Sequence, residues 1–242
     1  MRVLVVLPTY NEIENVAKML EAIRSIVPTA DILVVDDGSP DGTADAAEKV
    51  NEELGQITVL RRQGKSGLGS AYRAGFRWGL DHGYDSFVEI DCDFSHDPRS
   101  LPELLDHAQN YDVVIGSRYV AGGAIPTWST SRLLLSKGGN RYASMMLGLQ
   151  VADATAGYRV YSESALEKID FETVTADGYG FQIEMTYRAR LGGATIKETP
   201  ISFTDRTEGE SKMSSAIIVE ALLLVTKWGF RRAFSRAPKT GR

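Results

Sequence analysis

Phe87-Val88-Glu89-Ile90-Asp91-Cys92-Asp93 decides how this chain is read: a mostly apolar run stops abruptly on two carboxylates. Side chains alternate along a strand, so Asp91 and Asp93 are expected on one side and Cys92 on the other. Like charges at that spacing repel. Both stay ionised at low cost only if a hard cation such as Mg²⁺ or Mn²⁺ lies between them. Ser95 continues the alternation and offers another oxygen, directly or through water. A strand ending in a solvated polar loop produces the same short pattern, so the pair takes its meaning from its surroundings.

Runs rich in Val and Ile recur at 3–7, 32–35, 57–60 and 113–115, with helical spacing between them at about 12–26, 42–54, 69–82 and 100–109. This alternation predicts an α/β fold, a mainly parallel Rossmann-like sheet flanked by helices. Ligands of such sheets gather at the carboxyl ends of the strands, where the polar motifs of this chain fall. The second half is less regular. It predicts helices near 130–148 and 179–191, a turn at Asp153 to Gly157, and an edge strand at 195–203 that carries Pro200. The last helix, about 214–233, places Ile217, Ala221, Leu224 and Trp228 on one stripe, with Ile218, Leu222 and Val225 beside it. Such a helix either packs on the core or lies on a membrane or partner surface. The expected organisation is a single domain, with residues 1–213 as its body and 214–242 as a C-terminal amphipathic helix and basic tail.

The 242 residues are 43% hydrophobic and 9% aromatic, which fits a full core and excludes a disordered or fibrous chain. A net charge of −5 gives no field that would draw in nucleic acid. The charge is unevenly placed, because Lys227, Arg231, Arg232, Arg236, Lys239 and Arg242 share residues 227–242 with no acid. That tail is either solvated or suited to anionic lipid heads, where each cation adds about 1 kcal/mol. One cysteine excludes an internal disulfide and agrees with a reducing, cytoplasmic compartment. The apolar start Val3 to Leu7 is too short for an export signal. The ten-residue run Ala216 to Val225, interrupted by Glu220, falls short of a bilayer span.

Two polar loops, Pro8-Thr9-Tyr10-Asn11-Glu12 and Asp36 to Thr43, follow the first two strands and can face one ligand. In the second, Gly38 and Gly42 permit tight turning and Asp37 can accept from a base or ribose, although the same residues also make a plain turn. Gly64-Lys65-Ser66-Gly67-Leu68-Gly69 is not a phosphate loop, since Val59 stands where the pattern needs glycine. Lys65 and a helix starting near Gly67 could still take an anion. His96 reads as an exposed turn residue outside the site, because a carboxylate-held cation prefers oxygen. Arg118 after the fifth strand, with Arg206 and Lys212 around Gly209, supplies cations that either grip an anion or pair with Asp205, Glu208 and Glu210.

Taken in order, the Pro8 to Glu12, Asp36 to Thr43, Asp91 to Asp93, Gly116-Ser117-Arg118-Tyr119, Asp153 to Arg159, Tyr179 to Glu184 and Arg206 to Lys212 segments resemble the family-2 glycosyltransferases. Within these the chain is similar to the dolichol- and polyprenol-phosphate mannose synthases of the actinobacterial polyprenol monophosphomannose type. The resemblance implies a GT-A fold, GDP-mannose as donor, Mg²⁺ or Mn²⁺ as cofactor and a polyprenyl monophosphate as acceptor. It also implies a separate or fused membrane-anchor protein. Carried over by position, Pro8, Tyr10, Glu12, Val35 and Asp37 would hold the nucleoside, and Asp91, Cys92 and Asp93 would line the diphosphate and metal. Arg118, Arg206 and Lys212 would grip phosphates. Relatives often carry Gln as a metal ligand where this chain has Ser95, and Ser-Gly-Phe-Arg where it has Ala156-Gly157-Tyr158-Arg159.

A phosphate monoester, with a second pKa near 6, is already a nucleophile at neutral pH and needs no general base. Its obstacle is a second anion, so cations are required on both sides of the reacting carbon. In-line displacement would invert the sugar and leave a β-linked mannosyl phosphate. The long acceptor chain implies a cytoplasmic enzyme, peripheral at the inner face of the plasma membrane. Transfer of another sugar from a UDP donor, or a nucleotide-sugar-binding module without turnover, are the competing readings.

Overall fold

The computed structural model describes residues 1–205 and 215–235. Strands β1 (Val3–Thr9), β2 (Asp31–Asp36), β3 (Ile57–Arg61) and β4 (Ser86–Glu89) alternate with helices α1 (Val16–Ile26), α2 (Thr43–Leu54) and α3 (Leu68–Asp81). Then come α4 (Leu101–His107), β5 (Val113–Ser117), α5 (Thr130–Leu147), β6 (Arg159–Ser162), α6 (Glu163–Ile169), α7 (Gly178–Leu191), β7 (Ile196–Pro200) and α8 (Ser215–Ser235). The seven strands form one sheet in the order β3-β2-β1-β4-β6-β5-β7. All pair in parallel except β6, which lies antiparallel between β4 and β5.

Both faces of the sheet are covered, which is why the central strands read as unbroken apolar runs rather than alternating ones. Along β1, Val3, Val5 and Leu7 join Val16, Met19, Leu20 and Ile23 of α1, whereas Leu4 and Val6 join Phe76 of α3 and Phe181 of α7. The edge strand expected over 195–203 is β7, and Pro200 is its last residue. Sequence periodicity missed β6, whose four residues are too few to show a period.

The reversed β6 decides what reaches the site. Parallel β1, β2, β4 and β5 all end at one edge, and an antiparallel strand begins at that edge, so residues 153–158 join the loops that follow the other strands. Helix α8 packs against α5 and α7: Tyr142 and Thr226 share a hydroxyl contact of 2.8 Å, and the Tyr187 and Trp228 rings stack. Ala221 and Val225 are buried as the periodicity requires, but Leu222, expected beside them, is 40% exposed. Among the described residues, no helix is long and apolar enough to cross a membrane.

Candidate active site

The first two loops are stitched together by short polar side chains. The register that pairs Thr9 with Asp36 lets Thr9 Oγ1 donate to Asp36 Oδ2 at 3.0 Å. Asp36 also accepts from the Gly38 and Ser39 amides, Ser39 Oγ from Asn11 N, and Thr43 Oγ1 from Glu12 N. Asp37 is engaged too, with Arg62 Nη1 donating at 2.6 Å and Ser66 N at 3.1 Å. Glu12 accepts from Asn15 Nδ2 at the start of α1, and Lys65 lies 4.7 Å over the Tyr10 ring. Pro8 is half-buried beside this group, while Val35 is fully buried and has only its backbone to offer a ligand. Arg62, not singled out from sequence, thus stands on the carboxylate expected to meet the nucleoside.

The anion position suggested at the start of α3 is taken by the chain itself. Asp177, leading into α7, accepts from Gly69 N at 2.7 Å, and a Cβ on Gly67 would collide with its carboxylate.

At the fourth strand the structure corrects the alternation argument. β4 ends at Glu89, and Asp91 to Ser95 form a turn in which Phe94 has φ +58° and Asp93 Oδ1 accepts from Ser95 N at 3.0 Å. Asp91 is one-third exposed and accepts from Tyr72 Oη at 3.3 Å, while Asp93, Ser95 and Cys92 are buried. Cys92 packs in the apolar layer on the α1 side. His96 is buried rather than exposed, its Nδ1 is 3.7 Å from Asp91 Oδ2, and burial holds its pKa down to about 4, so the ring is neutral. The turn is fastened by a backbone bridge between His96 and Phe203 and by Thr204 N donating to Ser95 O at 3.2 Å.

Among the described residues no group of three or more His, Cys, Asp or Glu side chains could hold a metal by itself. The hard oxygens of Asp91 and Asp93 suit a divalent cation but are too few to complete its shell.

Arg118 is buried against Asp153. Its Nε and Nη2 donate to the two carboxylate oxygens at 2.7 Å each, its backbone N to Oδ2 at 3.0 Å, and Nη2 also to Thr155 Oγ1 at 2.8 Å. Burial works against the guanidinium's charge, but Asp153 outweighs it and the pKa stays above its usual value. The rings of Tyr119, Trp128 and Phe203 surround this side chain. Arg132, at the start of α5 and missed from sequence, covers Trp128 from 3.9 Å and pairs with Asp205. Arg206 and Lys212 lie outside the described residues, which break off at Asp205 beside this cluster.

The 153–157 turn joins the two halves. Arg159, wholly buried, donates to the carbonyls of Ala154 and Ala156, and Gln182 Nε2 donates to Glu89 at 3.0 Å. Burial pushes Glu89 up to about 8, against the pull of Arg159. A Cβ on Gly157 would stand 3.7 Å from Asp91 Oδ2, 3.8 Å from Gln182 Nε2 and 3.8 Å from His96 Cε1, which places the three side chains around this one position.

Residues 4–170 match the glycosyl transferase family 2 model. The chain is 51% identical over 229 residues to the undecaprenyl-phosphate mannosyltransferase of Micrococcus luteus, covering 95% of this chain and 94% of that protein. It is 47% identical to the polyprenol monophosphomannose synthase of Mycolicibacterium smegmatis, over 98% of this chain and 90% of that one. A mannosyltransferase from Pyrobaculum calidifontis, solved with GDP-Man and Mn²⁺, superposes with a TM-score of 0.60 at 16% identity, covering all of this chain and 76% of its own, a likeness of fold. The paired loops, the carboxylate turn and the sheet that carries them thus agree with the sequence relationship, and the chain belongs to glycosyltransferase family 2.

Proposed function

We propose that this protein transfers mannose from GDP-mannose to a polyprenyl monophosphate, with inversion, giving a β-linked polyprenyl phosphomannose. The observation that carries the reading is one edge of the sheet that holds both carboxylates and a buried arginine, joined by the 153–157 turn. Asp91 and Asp93 lie on one side of the 153–157 turn and Arg118 on the other, and the names of the two close relatives point to the same chemistry. When bound, Mg²⁺ or Mn²⁺ would be held by Asp91 and Asp93 and would offset charge on the departing diphosphate. Arg118 and Arg132, with Arg206 and Lys212 from the adjoining segment, would receive the acceptor phosphate. The neutral His96 and the buried Glu89 take no proton from an acceptor that is already ionised.

The acceptor's hydrocarbon tail must stay in lipid, and α5 with α8 presents a face for it. Leu134 and Leu135 are each 65% exposed, Met145 70% and Leu223 66%, large apolar side chains turned outward on these two helices. Arg132, Lys137 and Arg141 on α5 and Lys227, Arg231 and Arg232 on α8 stand against the single acid Glu220, on a chain whose net charge is −5. This composition suits an anionic leaflet, and we place the protein at the inner face of the plasma membrane, beside a membrane-anchor partner. Turnover with GDP-mannose and with UDP-glucose on a short-chain polyprenyl phosphate, with and without EDTA, tests the reading. Product from GDP-mannose that EDTA abolishes is expected; product only from UDP-glucose, or unchanged in EDTA, refutes it.

A further inference from the structure

We propose that Asn140 on α5 is a positioning residue for the acceptor phosphate, acting through Thr155 on Arg118; this rests on the reading of Arg118 as the phosphate grip. Asn140 is 2% exposed, on a helix face otherwise buried through the apolar Ala143 and Leu147. Its amide is instead fully used. Oδ1 accepts from Ala154 N at 2.8 Å and Thr155 N at 3.2 Å, while Nδ2 donates to Ser136 O at 3.0 Å and Thr155 Oγ1 at 3.1 Å. Four of four hydrogen-bonding positions are met, all but one of them by the turn that carries the Arg118 counter-ion.

Thr155 Oγ1 is the junction. It accepts from both Asn140 Nδ2 and Arg118 Nη2 and donates its own proton to Asp153 Oδ1 at 3.3 Å. Donation by Asn140 thus fixes the direction of the hydroxyl, which adds a third hold on a guanidinium plane set by Asp153. One turn earlier on α5, Ser136 Oγ accepts from Tyr119 Oη at 2.6 Å, so the same helix also holds the residue next to Arg118. With Nε and Nη2 engaged by Asp153 and Thr155, Nη1 is the guanidinium nitrogen left to meet a phosphate, and a tilt of the plane misdirects it without removing the charge.

Two variants separate this role from plain support of the turn. Asn140→Asp keeps acceptors for the Ala154 and Thr155 amides but replaces the donor to Thr155 and Ser136 with an oxygen and adds a buried charge, so the hydroxyl proton turns away from Asp153. Thr155→Val conserves shape and deletes the junction without adding charge. With the full chain, GDP-mannose and short-chain polyprenyl phosphate, each variant is expected to raise the acceptor KM about tenfold, the loss of one charge-assisted hydrogen bond, with the donor KM within about twofold. The double variant should be no worse than the poorer single, since both act through one junction. Losses that appear in kcat alone in proportion to unfolded protein, equal rises in both KM values, or multiplied effects in the double would overturn the proposal. Wild-type protein that makes no product from GDP-mannose removes the underlying reading and the proposal with it; a normal wild type beside normal variants removes only the proposal.

Discussion

The buried pair of Arg118 with Asp153 allows stability and transfer to be pulled apart. Asp153 is fully buried and accepts three hydrogen bonds from Arg118, at 2.7, 2.7 and 3.0 Å. Asp153→Asn keeps the shape but removes the charge and one acceptor oxygen, leaving a largely buried guanidinium uncompensated. Breaking one partner of such a pair costs about 3–5 kcal/mol, a large share of the about 5–15 kcal/mol a domain has. Replacing both partners, as Arg118→Met with Asp153→Leu, removes the stranded charge. What remains is the residue-118 amide and the Thr155 hydroxyl without their acceptor, a loss of about 1–3 kcal/mol, so the double variant should regain about 2 kcal/mol over the single. Urea unfolding followed by tryptophan fluorescence reads these differences, and a transfer assay on the same samples should find the more stable double variant inactive. Equal stability of the single and double variants would refute the buried-charge reasoning, and a double variant that transfers at wild-type rate would take Arg118 out of the reaction.

Gly67→Ala places a methyl group against the Asp177 carboxylate at φ +90°, so the cap on α3 has to move; a loss of about 2–4 kcal/mol is expected in thermal or urea unfolding, and an unchanged transition would contradict it. Asp112 is raised by burial but lowered more by hydrogen bonds from Lys168 and Thr195, to about 2. A depressed carboxylate contributes stability above its unfolded pKa of about 4 and loses it as pH falls through the folded value, so Asp112→Asn should cost about 1 kcal/mol at pH 7 after allowance for screening, with the difference shrinking toward pH 2. Replacing Leu134 and Leu135 together by Glu should weaken binding to anionic vesicles at least about tenfold in co-sedimentation while leaving unfolding within about 0.5 kcal/mol; vesicle binding equal to wild type would exclude that face.

Most of the sheet was legible because each buried strand is a dense apolar run with its polar loop directly behind it: Val3 to Leu7 before Pro8, Ile32 to Val35 before Asp36 and Asp37. The turn after β4 was legible in composition but not in geometry. Alternation holds only while the strand lasts, and the positive φ of Phe94 breaks it before Ser95. Arg159 and Asn140 could not be read as site supports, because a buried arginine or asparagine in sequence looks like any surface residue until its partners are known. Arg132 had a faint signal in the Trp128 to Arg132 spacing, a cation one helical turn from an aromatic, but nothing in the sequence brings Trp128 beside Arg118.

The backward strand has a consequence for biosynthesis. Because β6 is wedged between β4 and β5, both made before it, the growing chain holds two raw strand edges apart until residue 162 has left the ribosome. Neither edge can be satisfied by the other without excluding β6, so early closure would be a trap rather than a step forward. Fragments that stop short of β6 should therefore self-associate through those edges, and monodispersity should await β7, which covers the remaining edge of β5.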